Sequence, residues 1–303
     1  MTSNVPSVPV RIAAIIGHSD EFALLDACIR HHERLGISAF YVSVDAEAVG
    51  SQRKLLDRLA RRPDVRIRYR EESESDVFDF LGSAVTATVE WTAPEWILVI
   101  DSDEFCACPA GDLRRAPELP DADILTLRRF NVPLRRGDHR NPFPIGPREY
   151  GRIPLIVRPL PVDLSNHSET MWPPWILNGI APKTLFRPVA VEGIGLGGHR
   201  VVSRDAASRA HVATTICVMH LPFTTFERFR RKAERIRDKL DDFGFRGDQG
   251  LHWKRWAAIA ARGGLRAEFA QQAFDPQTFA ALVADGTITD VERYLAQTTA
   301  APT

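Results

Sequence analysis

Asp101-Ser102-Asp103-Glu104 places carboxylates directly behind the apolar run Trp96-Ile-Leu-Val-Ile100. Aspartates at i and i+2, at a strand end or in the turn after it, can both face one divalent cation. Their hard oxygens suit Mg²⁺ or Mn²⁺, which keep positions open for phosphate oxygens. A cation held there would bridge two phosphates and stabilise the charge on a departing nucleoside diphosphate. The same spacing also suits a solvated turn, where Asp accepts backbone hydrogen bonds at the start of a loop. Position in the fold separates the two readings.

The flanking elements set that position. Arg11–Gly17 (RIAAIIG) reads as a strand buried on both faces. Phe22, Leu25, Cys28, Ile29 and Leu35 follow at helical spacing, with Ser19 or Asp20 as N-cap and Gly36 as the stop. Ser38–Asp45 is a second strand ending in a carboxylate. Leu55, Leu56 and Leu59 mark a helix closed by Pro63, and Val65–Tyr69 is a third strand. A helix from about Val77 to Trp91 and the strand Trp96–Ile100 complete the alternation. Strand–helix alternation implies a parallel sheet with helices on both faces, whose ligands bind beyond the carboxyl ends of the strands. Asp20-Glu21, Asp45 and Asp101–Glu104 all fall at such ends, so they gather on one edge.

From Pro109 to about Gly198 the chain is rich in Pro, Gly and aromatics, with short strand-like pieces at Ile124–Phe130, Ile153–Val157 and Lys183–Arg187. Loops of this kind shape pockets on a rigid scaffold. Helical patterning returns at Thr224, where Thr224-Thr-Phe-Glu227 has the form of a capping box. Phe226, Phe229, Ala233, Ile236 and Leu240 form the apolar face of that helix, and basic residues fill most of the rest.

Composition removes several classes. Lys plus Arg number 39 and Asp plus Glu 39 among 303 residues, so no overall field attracts nucleic acid. No apolar run approaches the roughly 18 residues of a membrane span. The first ten residues lack the basic and apolar regions of a signal peptide. Cys28, Cys106, Cys108 and Cys217 lack zinc or redox spacing and read as reduced core residues, so a cytoplasmic protein is expected.

The ordered motifs resemble a known family. Trp96-Ile-Leu-Val-Ile-Asp-Ser-Asp-Glu-Phe105 is similar to the DxDEF signature of family-2-like glycosyltransferases with the GT-A fold. Gly17-His-Ser-Asp-Glu21, Arg30-His-His-Glu33 and Leu35-Gly36 resemble the opening motifs of that group. Met219-His-Leu-Pro-Phe-Thr-Thr-Phe-Glu-Arg-Phe-Arg-Arg-Lys232 resembles its closing segment. The likeness runs over roughly residues 11–240. It departs where Asp20 replaces the usual Asn, and where Asp45-Ala-Glu-Ala-Val-Gly-Ser51 replaces an Asp-x-Ser-x-Asp-Gly run.

The resemblance implies an α/β, GT-A-like (Rossmann-like) mixed and mostly parallel sheet over residues 1–240, with a helical extension over 241–303 packed on it. It implies Mn²⁺- or Mg²⁺-dependent transfer of a hexose-type sugar, by an inverting route, from a nucleoside diphosphate sugar, UDP being the commonest nucleotide. The acceptor would be a hydroxyl on a glycan, a lipid-linked molecule or a small molecule. Asp101 and Asp103, with Ser102 between them, would hold metal and diphosphate. Asp45 would contact base or ribose, and Gly17, His18, Asp20 and Glu21 would line the nucleotide pocket. His220 matches a late metal-ligand position, and a strand-end hydrogen bond is its plainer role. His199, in a glycine loop, is a second candidate for the nucleotide-sugar pocket. Lys232, or an arginine beside it, would neutralise the leaving diphosphate, although the basic stripe is also compatible with a solvated face or a peripheral membrane contact.

His31 and His32 lie mid-helix and point in different directions, which suits packing and hydrogen bonding better than a metal pair. An inverting transfer needs a base near the acceptor hydroxyl. Among Glu149, Asp163, Glu169, Glu192, Asp205 and Asp248, Glu169 is preferred for its polar, aromatic loop, with Asp248 next. A nucleotidyltransferase could use the same carboxylate edge, but would carry a Gly-rich basic loop after the first strand, where this chain has Asp20-Glu21. A non-catalytic nucleotide-sugar-binding protein would keep the scaffold without turnover.

Overall fold

A computed structural model describes residues 10–18, 22–45, 53–70, 77–137, 150–160, 174–240 and 250–300. Its first part alternates as the hydrophobic pattern requires: β1 (Ile12–His18), α1 (Phe22–Arg34), β2 (Ala39–Asp45), α2 (Arg53–Ala60), β3 (Val65–Arg70), α3 (Val77–Thr92) and β4 (Trp96–Asp101). β5 (Glu104–Ala107) turns straight back from β4. Then follow β6 (Ile124–Asn131), β7 (Leu134–Arg135), β8 (Pro154–Ile156), β9 (Lys183–Phe186), β10 (Val191–Ile194), β11 (Val201–Ser203) and β12 (Ala210–His220). The last part is α4 (Phe226–Lys239), α5 (Leu251–Ala261), α6 (Leu265–Gln271), β13 (Ala273–Phe274), α7 (Pro276–Ala284), β14 (Ile288–Asp290) and α8 (Val291–Ala300).

Eight strands form one sheet in the order β3-β2-β1-β4-β9-β6-β12-β5. β1 pairs in parallel with β2 and β4, β2 with β3, and β6 with β12, while β9 and β5 run antiparallel to their neighbours. The fold is therefore GT-A-like: a mixed, mostly parallel sheet flanked by helices, with helices again at the C-terminal end. Direction matters most for the site. β1, β2, β4, β6 and β12 end on one edge, and the reversed strands β9 and β5 begin there. Gly17, Asp45, Asp101, Asn131 and His220 thus meet the first residues of β9 and β5, Lys183 and Glu104.

Two apolar cores flank the main sheet. Ile12, Ala14, Ile16, Trp96, Leu98 and Ile100 pack against α1 on one face, and Ile15, Tyr41, Ile97 and Val99 pack against α3 on the other. Alternate residues of β1 and β4 serve opposite cores, which explains why these strands are apolar throughout. A third cluster joins α4, α5 and α6 through Phe229, Trp256 and Phe269. The C-terminal residues are also tied to the sheet side: β13 pairs with β7, β14 with β8, and Val291, Tyr294 and Leu295 of α8 enter the core beneath β12.

α1 is clamped to β5 by its two histidines. His31 Nε2 donates to the Cys106 carbonyl at 2.6 Å. His32 Nε2 accepts the Cys106 N–H at 3.1 Å, so its Nδ1 proton goes to the Cys28 carbonyl at 2.8 Å. Phe105 lies against both rings, edge-on to His31 and stacked on His32. The Arg30-His-His-Glu33 and Asp-Glu-Phe105 motifs are thus one packing unit, which fixes the start of β5 and hence Glu104.

Burial lowers the pKa of His31 to about 4 and of His32 to about 3. Both groups stay neutral in the folded chain while their unfolded counterparts protonate near 6.5. Below that pH the unfolded state binds more protons, so stability is full above 6.5 and falls as pH drops toward 4. By pH 5 the loss should reach about 2 kcal/mol per histidine. Urea denaturation at pH 7 and pH 5 should show this, and His32→Gln should make the loss smaller by about 2 kcal/mol, the share of one histidine.

Candidate active site

Asp101 closes β4 beside Gly17 of β1, its partner in register. A methyl group on Gly17 would stand 2.9 Å from Asp101 Oδ1, so the glycine keeps room for that carboxylate. Asp101 Oδ2 accepts from Lys183 Nζ at 2.8 Å, and the Asp101 N–H donates to Glu104 Oε2 at 2.7 Å. The Asp101 side chain remains 46% exposed. Ser102, Asp103 and Glu104 are buried. This is not a solvated turn. Burial pushes the Glu104 carboxyl up, and Lys183, 3.0 Å away, and Arg129 oppose that shift. Lys183, wholly buried, completes its bonds at the Gly197 carbonyl, 2.8 Å away.

Asp103 faces the other way, toward β12 and α4. Its backbone carbonyl accepts the Leu221 N–H at 2.9 Å. Its Oδ2 accepts from Arg228 at 2.5 Å and lies 3.8 Å from Lys232 Nζ. Burial would raise this carboxyl, but the positive charge around it outweighs that and holds it well below the usual carboxylate range. His220 Nε2 lies 3.8 Å from Asp103 Oδ1, and Nδ1 lies 2.8 Å from Asn131 Oδ1. Burial, with Arg129, Lys232 and Arg228 opposing Asp103, keeps His220 neutral. Arg228 and Lys232 are therefore the cations that hold Asp103 ionised.

Ligand atoms of Asp103, Glu104 and His220 all lie within 4.8 Å of one another. Glu104 is committed to Arg129, Lys183 and the Asp101 N–H, so Asp103 Oδ1 and His220 Nε2 are the donors best placed for a cation. One carboxylate oxygen and one neutral imidazole fit Mn²⁺, which takes its remaining ligands from water and phosphate. Asp101, with Lys183 on Oδ2, stands across the strand turn from this pair.

The glycine loop reaches the same edge. Gly198 has a φ of +67°, and a Cβ there would meet Val99 at 2.4 Å, so only glycine lets the loop lie on β4. His199 Nδ1 donates to the Pro182 carbonyl at 2.9 Å. Burial, with Lys183 and Arg129, lowers its pKa to about 4. Across the site, Trp175 packs on His252 at 5.0 Å and edge-on to His220 at 6.4 Å. A cleft of about 330 Å³ opens beside β6, lined by Thr126, Arg128, Arg129, Asn131, Asn178 and Pro182 among others. It shares Arg129 and Asn131 with the carboxylate site.

The structure thus brings together Asp101, Ser102, Asp103, His220 and Lys232 at one sheet edge, with Gly17 beneath Asp101 and His199 on the Lys183 side. Asp45 ends β2 on that edge; its side chain and that of His18 lie outside the described positions. Asp20, Glu21, Glu169 and Asp248 lie outside the described residues. Sequence reading missed Lys183, Arg129, Asn131 and the pairing role of Arg228. A lysine opening the otherwise apolar run Lys-Thr-Leu-Phe186 was the available signal. The capping motif shifts by one residue: Thr225, not Thr224, caps α4 by accepting the Arg228 N–H. Arg228, in the first turn of α4, is buried and donates to Asp103 and to the Leu221 carbonyl.

No protein-family model and no curated protein matches the sequence. The fold is similar to HddC from Yersinia pseudotuberculosis complexed with GMP-PN, at 12% identity and a TM-score of 0.36, over 70% of this chain and 93% of that one. It is similar to Rv0371c from Mycobacterium tuberculosis H37Rv in complex with manganese, at 16% identity and a TM-score of 0.28, over 40% of this chain and 65% of that one. It is also similar to a candidate glucose-1-phosphate thymidylyltransferase from Bacillus anthracis in complex with a sucrose, at 9% identity and a TM-score of 0.28, over 39% and 55%. The chain thus spans less than two thirds of the length of the last two. Among the described residues no helix is long and apolar enough to cross a membrane.

Proposed function

We propose that the chain is a nucleotide-dependent transferase that holds the phosphates of its donor through a divalent cation at Asp103 and His220. The observation that carries this reading is the pair Asp103 Oδ1 and His220 Nε2, 3.8 Å apart at the carboxyl edge of the sheet, with Arg228 and Lys232 beside them. Mn²⁺ or Mg²⁺ bound there would act as a Lewis acid toward phosphate oxygens. Asp101 borders the same space, and Lys232 supplies charge that a leaving diphosphate would meet. The cleft along β6 would receive the acceptor.

Glycosyl transfer from a nucleoside diphosphate sugar, UDP-linked for preference, to a hydroxyl acceptor is the reaction we assign, by analogy with the family that the DxDEF motif resembles. The acidic pair Asp20-Glu21 supports it, because the sequence of a triphosphate-gripping loop would be basic there. Glu169 and Asp248 are the proposed bases. Nucleotidyl transfer onto a sugar phosphate is the second reading. It uses the same edge, and the name of one similar structure describes such an enzyme.

Product analysis separates the two. With Mn²⁺, the chain should release UDP slowly from UDP-glucose or another nucleotide sugar in a donor panel, and release no pyrophosphate from UTP plus glucose 1-phosphate. Pyrophosphate release from a nucleoside triphosphate and a sugar phosphate, without nucleotide-sugar turnover, would overturn glycosyl transfer in favour of the second reading. Nucleotide binding without either product would establish a binding protein.

A further inference from the structure

His220 and Asn131 end the neighbouring strands β12 and β6 in register with each other. Asn131 is 2% exposed, and its Nδ2 donates to the Ile176 carbonyl at 2.9 Å and to the Asn178 carbonyl at 3.4 Å. Those two oxygens fix the amide, because a flipped Asn131 would turn Oδ1 onto them with no proton between. Oδ1 therefore meets His220 Nδ1, 2.8 Å away, and it can only accept. Nδ1 must then carry a proton, so the ring's one available lone pair for a cation is on Nε2. Nε2 looks at Asp103 Oδ1 across 3.8 Å, too far for a hydrogen bond and short enough for one cation to touch both at about 2.1 Å.

We propose that Asn131 is a positioning residue of the site: it fixes the tautomer and orientation of His220 so that Nε2 faces Asp103 as an electron-pair donor. The proposal rests on the cation site described above and adds what sets that site up. The Trp175–Asn178 segment belongs to the same device. It supplies the carbonyls that hold Asn131, and it is itself held by Gln272 Oε1, which accepts the Ile176 N–H at 3.0 Å. Trp175 also packs edge-on against the His220 ring.

The test is a MnCl₂ titration of the full chain, with free Mn²⁺ read by electron paramagnetic resonance, for the wild type, His220→Ala, Asn131→Leu and Asn131→Asp. His220→Ala and Asn131→Leu should each weaken Mn²⁺ binding about 10- to 100-fold, while Asn131→Asp, which keeps the acceptor for Nδ1 but turns its second oxygen onto the Ile176 and Asn178 carbonyls, should lose less than Asn131→Leu. If His220→Ala weakens binding and Asn131→Leu does not, the role of Asn131 is overturned alone. If the wild type binds no Mn²⁺, the cation site fails and this proposal fails with it. Imidazole ¹⁵N spectra of the wild type, with His220 assigned by its loss in His220→Ala, test the tautomer without an Asn131 variant. A protonated Nδ1 and a bare Nε2 are expected; a proton on Nε2 would overturn the proposal.

Discussion

Asp103→Ala should lose Mn²⁺-dependent UDP binding by at least about 100-fold, and should also cost about 3–5 kcal/mol of stability. Both losses come from one carboxylate. Oδ1 faces His220 Nε2, while Oδ2 takes the Arg228 guanidinium at 2.5 Å, with the two side chains 8% and 4% exposed. Truncation removes a proposed cation ligand and takes from buried Arg228 the carboxylate it donates to. Asp103→Asn keeps the shape and one oxygen for Arg228, so it should recover part of the stability while binding stays weak. Isothermal titration with UDP and Mn²⁺, run beside urea denaturation, separates the effects. A destabilised Asp103→Ala that still binds UDP in a Mn²⁺-dependent way would confine Asp103 to a structural role.

Lys183→Met should be nearly as costly to the fold, at about 3–5 kcal/mol. The ammonium is wholly buried, donates to Asp101 Oδ2 and the Gly197 carbonyl, and lies 3.0 Å from Glu104 Oε2. Without it, Glu104 keeps one cation, Arg129, inside a site that already disfavours its charge. Neutralising the carboxylate in the same chain should help, so Lys183→Met/Glu104→Gln should be about 1–2 kcal/mol more stable than Lys183→Met alone. Urea midpoints of the double-mutant cycle measure this coupling. Independent, additive effects would mean that the ammonium does not compensate Glu104.

Much of the sheet was legible because its residues obey a simple rule. β1 and β4 serve cores on both faces, so they are apolar throughout, and the helices between them repeat apolar residues at helical spacing. The aspartate motif was legible for the same reason: a carboxylate directly after such a run must lie at the edge where parallel strands end. The partners of that motif were not. Arg129 and Asn131 come from β6, Lys183 from β9, and Arg228 from α4, and with the reversed β9 inserted between β4 and β6, Lys183 lies beside Asp101 and Glu104, Arg129 beside Glu104 and Asn131 beside His220. Local pattern contains no trace of that insertion. Arg228 looked like one of many solvated charges on a basic helix. Its guanidinium is instead buried against Asp103 and the Leu221 carbonyl, partners from distant or non-helical parts of the chain.

The His31–His32 pair shows the opposite case. Local pattern alone pointed to packing and hydrogen bonding, and the structure gives both rings such roles against Cys28, Cys106 and Phe105. That clamp lies behind Glu104, so part of what resembles a catalytic signature is scaffold. The motif's contribution to the proposed site is then Asp101 and Asp103, on either side of the buried Ser102.

The central claim is that Asp103 and His220 hold a cation that in turn holds nucleotide phosphates. Crystals soaked with MnCl₂ and UDP test it most directly, with the metal located by anomalous scattering at the manganese edge. The predicted result is one manganese peak between Asp103 Oδ1 and His220 Nε2, with diphosphate oxygens completing its coordination and the nucleotide lying over the ends of β1 and β2. Diphosphate bound away from the Asp101–Glu104 turn, or manganese bound elsewhere with that pair unchanged, would contradict it.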